Sequence, residues 1–126
     1  MKSKIVAATM AACLAGCQSD EYVRSQPPLA TYSSSRPLDA AVACLIPALG
    51  ESYSAAAISN FRFVGQVINP GAEYDIVPID GFVNGHYLFT VNVKRSGSGA
   101  QITLYQGQVV LPNLSEAMKN GINRCL

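Results

Sequence analysis

A single histidine, His86, restricts the acid–base and metal chemistry open to this chain of 126 residues. It directly follows Asn84-Gly85, which reads as a turn. A Ser-His-Asp arrangement would need Asp75 or Asp80 as its third member, and no Gly-x-Ser-x-Gly elbow or other nucleophile signature accompanies it. Catalysis by His86 as a small hydrolase is therefore the least favoured reading. No His, Cys or Asp pair has ligand spacing either, so no metal is expected. Glu73, Asp75 and Asp80 flank one strand candidate, where turn and edge solvation explains them at least as well as cation binding or paired acid–base work. Ser96 to Gly99, "SGSG", lacks the setting of a phosphate loop, because strand rather than helix follows it.

Charge is scarce as well. Lys and Arg number nine against eight Asp and Glu, 13% of the chain together. Lys94-Arg95 is the only adjacent basic pair and leads into a Gly/Ser turn, so nothing here suits a nucleic-acid partner. Hydrophobic residues make up 49% of the chain, a composition that packs, and the length is that of one domain. Long apolar runs are missing too. The best of them, Ile5 to Gly16, falls well short of the roughly 20 residues that cross a bilayer.

That run follows the charged start "MKSK", which gives the two opening parts of a secretory signal. It ends in Leu14-Ala15-Gly16-Cys17. This ending resembles the lipobox of bacterial lipoproteins, and all four positions fit the pattern. The resemblance implies cleavage between Gly16 and Cys17, a thioether-linked diacylglycerol on Cys17, and an N-acyl chain such as palmitate on the new amino group. No other cofactor is expected. Several acyl chains hold a soluble domain on a membrane far more firmly than one, since each buried CH₂ contributes about 0.8 kcal/mol. Loss of Lys2 and Lys4 with the signal takes the formal charge from +1 to −1. The lipoprotein sorting convention retains proteins with Asp after the lipidated cysteine in the inner membrane. Gln18 occupies that place, which implies the inner leaflet of the outer membrane, facing the periplasm, in a Gram-negative source, and a lipid-anchored cell-membrane protein otherwise.

Cys13 leaves with the signal and Cys17 carries lipid, which leaves Cys44 and Cys125. In an oxidising compartment an even pair reads as one disulfide. The expected organisation is then signal peptide over 1–16, lipidated N-terminus and flexible tether over 17–35, and a globular domain over 36–126. The tether assignment rests on "QSDEYVRSQPPLATYSSS", rich in Ser, Gln and Pro and without apolar periodicity. A short edge strand around Ala30 to Ser33 is the alternative for its end.

Within the domain, Leu38, Ala41, Val42, Leu45 and Leu49 recur at helical spacing, with Pro37 in the first turn, Gly50 as the stop, and Pro47 predicting a kink or early end. Four strands follow: Asn60 to Ile68, Glu73 to Ile79, His86 to Lys94, and Ala100 to Leu111. Pro70-Gly71 fits a type II turn, and Pro78 marks the second strand as edge or irregular. Asn113 and Glu116 suggest a capping box for a closing helix whose stripe is Leu114, Ala117, Met118, Ile122 and Cys125. The fold expected is α+β, a four-stranded antiparallel meander with both helices on one face and one disulfide joining them.

The other sheet face would then stay open, bearing Tyr105, Thr103, Thr90 and Asn92, with Gln66 and Arg62. It reads either as solvated sheet or as a recognition surface. The overall plan looks like many small proteobacterial lipoproteins, a resemblance that implies no activity. The functional expectation is a non-catalytic binding or accessory protein of the cell envelope, attached to the membrane by its lipid, with an envelope protein as partner. The alternative is a periplasmic inhibitor or immunity protein against an enzyme or toxin.

Overall fold

Strict alternation builds the centre of the sheet. The computed structural model describes residues 19–79, 82–83, 86–107 and 111–126. Strands β6 (Phe89–Ser96) and β7 (Gly99–Gln106) pair antiparallel in the register Val91↔Leu104 and Val93↔Ile102. Period-2 geometry then puts Phe89, Val91, Val93, Ala100, Ile102 and Leu104 on one face, and all six are buried. Strand β3 (Glu73–Pro78) adds Ile76 beside Val91, and β2 (Phe63–Asn69) pairs with β3 through a turn at Pro70-Gly71. Gly71 has φ +70°, and the Ala72 N–H donates to the Asn69 carbonyl, as a type II turn requires.

Pro78 sits in an inner strand without breaking it. The Ile79 N–H donates to the Arg62 carbonyl and the Arg95 N–H to the Ala72 carbonyl. Odd-numbered residues of β3 therefore turn their backbone groups to β2 and even-numbered ones to β6. The missing N–H of Pro78 lies on the β6 side, beyond Ile76↔Val91, where that pairing has already ended.

The meander β7-β6-β3-β2 thus forms as expected, but the sheet has five strands rather than four. β1 (Ala30–Ser34) pairs antiparallel with β7, giving the order β1-β7-β6-β3-β2. A small hairpin, β4 (Phe82–Val83) and β5 (His86–Tyr87), interrupts the meander between β3 and β6. Its pairing Val83↔His86 leaves Asn84-Gly85 as the connection, although those two residues lie outside the described ones.

Helix α2 (Leu38–Ala57) buries Leu38, Ala41, Leu45, Ala48, Leu49 and Tyr53 in one cluster with the sheet. Pro47 does not end it, and Gly50 does not stop it. Pro47 is exposed, and the helix runs on to Ala57 because Tyr53, one turn beyond Leu49, is a further core residue. The Tyr53 ring makes edge-on contacts with Phe61, Phe63 and Phe89, and burial raises its phenol pKa above the ordinary 10.0. Helix α3 (Pro112–Asn123) lies against α2 with Ala117, Met118 and Ile122 buried. Its N-cap is Leu111 with Pro112 at the first position, not the Asn113 capping box, and no side-chain cap bond forms. Cys44 and Cys125 are bonded as a disulfide across 81 residues, with Cα atoms 5.7 Å apart.

The C-cap of α2 is Ile58, held in the left-handed region at φ 53°, ψ 44° and 92% exposed. A β-branched residue is strained there, at a cost of about 1 kcal/mol or more, and its side chain packs on nothing that would be lost. Ile58→Gly should stabilise the fold by about 1 kcal/mol. A urea midpoint that fails to rise would contradict this.

Two elements lie inside the segment read as a tether. α1 (Ser19–Arg24) and β1 belong to the fold, so the ordered chain starts at least as early as Ser19 rather than near Arg36. β1 is tied to the C-terminal end of the chain, since the Ser34 hydroxyl donates to the Cys125 carbonyl while accepting locally from the Arg36 N–H.

Candidate functional site

The side of the sheet expected to be open is partly roofed. α1 and β5 pack together above β6 and β7, opposite α2 and α3. Val23 of α1 is fully buried although it stands apart from the main core cluster. Gly107 permits this closure, because a Cβ there would lie 2.2 Å from the Tyr87 carbonyl oxygen and 2.7 Å from a Val23 methyl.

Beneath the roof runs a line of paired charges. Arg24 Nε sits 2.9 Å from Oδ2 of Asp75, a carboxylate with no solvent exposure. The Asn92 amide donates both its protons to carboxylates, at 2.7 Å to Asp75 Oδ1 and 2.8 Å to Glu73 Oε2. Lys94 Nζ lies 3.7 Å from the same Glu73 oxygen. Two carboxylates that would repel one another are thus joined by a neutral amide and flanked by two cations. Such a set locks α1 to β3 and β6, because a buried carboxylate is tolerated only when it is paired and hydrogen-bonded.

The proposed recognition residues fall in and around this network. Thr90, Asn92 and Thr103 are buried, and Tyr105 is half-buried. The structure brings them together on one face, as their register requires, but α1 and β5 stand over that side, so it is not the open face expected. Gln66 donates to the Tyr87 hydroxyl at 3.4 Å, which extends the polar contacts to β2. Glu73 and Asp75, considered for cation binding or acid–base work, are engaged in the ion pairs. Among the described residues no three His, Cys, Asp or Glu side chains converge as metal ligands would. Asp80 lies outside the described residues, as do Gly16 and Cys17. Residue 86 is placed in β5, opposite Val83.

Sequence reasoning missed Arg24 and the role of Asp75. The available signal was Tyr22-Val23, a lone apolar pair inside a polar segment, and six helical residues are too few to show a period.

The exposed surface of note is the β2 edge. Parity of the β2–β3 bonds directs the backbone groups of Phe63, Gly65 and Val67 outward, where no strand among the described residues meets them. Val64, Val67 and Ile68 on this strand and Ile79 beside it are exposed. A groove of about 510 Å³ runs alongside, lined by Ile46, Pro47 and Gly50 of α2 and by Phe61, Phe63, Val64 and Ile79. α2 is the one helix among the described residues long and apolar enough to cross a membrane, with a mean hydropathy of 1.3, yet only 28% of that stretch is buried. It serves here as the core helix of the sheet, and no described residue covers its outer flank. No protein-family model matches the chain, and no curated protein matches it significantly.

Proposed function

We propose that this is a lipid-anchored envelope protein that acts by binding rather than by catalysis. The observation that carries the reading is Leu14-Ala15-Gly16-Cys17 at the end of a short apolar run behind "MKSK". A disulfide between the last two cysteines agrees with an exported, oxidised setting. In a Gram-negative source, Gln18 under the sorting convention favours anchoring at the inner leaflet of the outer membrane; in any other source the lipid would hold the protein on the cell membrane. The binding part of the proposal draws support from the apolar β2 edge, which no strand among the described residues pairs, since a solvent-facing strand of that kind is a template for pairing unless something occupies it.

Replacement of the acceptor sulfur tests the anchor. Cys17→Ser should abolish incorporation of labelled palmitate and leave a precursor that retains residues 1–16 on mass spectrometry. Labelling equal to wild type would end the reading. For the binding part, affinity capture of the tagged chain from detergent-solubilised membranes should recover a stoichiometric protein, and capture of nothing would count against it.

A further inference from the structure

We propose that α1 is a releasable strap, which closes over the polar face of the sheet and lifts from it while the rest of the fold stays intact, giving access to Thr90, Asn92 and Thr103. The proposal rests on what α1 touches and does not depend on the lipid anchor.

The two faces of the sheet are covered in different ways. Helix α2 sets six side chains, from Leu38 to Tyr53, into the apolar cluster, so lifting it would bare a hydrocarbon face to water. Among the described side chains of α1, one apolar group, Val23, is buried, and Arg24 adds the ion pair to Asp75. The surface beneath is polar: Asp75, Thr90, Asn92 and Thr103. Water can hydrate those groups once α1 departs, so opening forfeits little of the hydrophobic stabilisation that closes the other face.

The charge network is also divided so that it survives the opening. Asn92, Glu73 and Lys94 all belong to β3 and β6, and the Asn92 amide still donates to both carboxylates after Arg24 leaves. Asp75 then exchanges a guanidinium for water rather than for an empty interior.

The strap has a definite end. Pro27 and Pro28 are exposed and have no N–H to give to the sheet. The chain is pinned next at Leu29, whose N–H donates to the Leu104 carbonyl at 2.8 Å, where β1 begins its ladder with β7. Residues before that pin can lift while β1 stays paired. Six residues are too few to remain helical without docking, so undocking and unwinding are one event.

The closed position is nonetheless a fitted one. Val23 rests at Gly107, where a Cβ would lie 2.7 Å from its methyl, and Gly107 is bonded to Leu88. Arg24 reaches Asp75, which stands opposite Asn92. Thr90 lies on β6 between those two points, under the span of α1. A partner that binds the polar face would draw the population toward the open form.

Thr90 and Val91 give the test, since they are neighbours on opposite faces of β6 and neither has solvent exposure. Thr90→Cys and Val91→Cys are made separately in the full chain and treated with a maleimide under non-reducing conditions, and the peptide carrying each position is followed by mass spectrometry. Position 90 should be alkylated at least 100-fold faster than position 91, at a rate nearly flat in low urea, because lifting α1 exposes little surface. Position 91 should react through global unfolding and accelerate steeply with urea. Arg24→Ala added to Thr90→Cys should raise its rate at least tenfold. In the unsubstituted protein, amide exchange at Val23 should show the same flat urea dependence, a readout that holds even if Thr90→Cys does not fold. Equal rates at positions 90 and 91, a steep urea dependence at Val23, or no acceleration by Arg24→Ala would each overturn the proposal and make α1 an inseparable part of the core.

Discussion

Reduction of the Cys44–Cys125 bond should lower the stability of this protein by about 4.5 kcal/mol, from the loop-closure entropy that an 81-residue separation implies. The bond does more than shorten the unfolded chain. It joins α2 to the residue just past α3, and the Cys125 carbonyl also receives the Ser34 hydroxyl of β1. Three elements distant in sequence therefore meet within a few ångströms of one linkage. A domain this small holds about 5–10 kcal/mol in all, so the reduced form should sit near its unfolding threshold at 37 °C. The check is a urea or thermal transition with and without a thiol reductant, and a Cys44→Ala/Cys125→Ala variant should match the reduced protein. A transition that does not move on reduction would show that the native contacts alone fix this corner.

Arg24→Ala should destabilise by about 3 kcal/mol and free α1 from the sheet. The substitution removes the cation from a carboxylate that has no solvent exposure, a case in which loss of one member of a buried pair is costly. Arg24 itself is 26% exposed, which places the effect at the low end of the range for fully buried pairs. Asp75→Asn should be milder, since its amide oxygen can still accept from Asn92. The double variant Arg24→Ala/Asp75→Asn should recover stability relative to Arg24→Ala, because no charge is then stranded. Amide exchange gives a local readout: Val23 should lose protection in Arg24→Ala while Val91 and Val93 in β6 keep theirs. Equal exchange at Val23 in both proteins would mean that the ion pair does not hold α1.

Much of the sheet was legible because its signals are local. Phe89 to Val93 alternates cleanly, Pro70-Gly71 marks a turn, and Cys44 and Cys125 are the even pair beyond the N-terminal apolar run, whereas the strand read from His86 breaks at Leu88 into β5 and β6. The helix α2 was read too short, since Gly50 and Pro47 are strong local stops that a distal core residue, Tyr53, overrides through tertiary packing. The N-terminal elements were not legible for a different reason. β1 is held by β7, some seventy residues later, and α1 by Val23 burial and one ion pair to β3. Neither has a periodic pattern of its own. The fate of the polar sheet face followed from that gap, because Thr90, Asn92, Thr103 and Tyr105 were assigned correctly to one face while the helix that helps cover it was read as linker.

The docking of α1 changes what a lipid on Cys17 would accomplish. An extended tether from Gln18 to Ser35 would let a domain range up to about 60 Å from the bilayer. With Ser19 already inside a helix that packs on the sheet, a lipid on Cys17 would be separated from the fold by at most about 7 Å of chain. Such a protein is mounted rather than leashed. Its encounters would be confined to a thin layer at the membrane surface, with its orientation largely set. A target would have to come to that layer, or be embedded in the same leaflet, and there a low volume concentration becomes a high surface density.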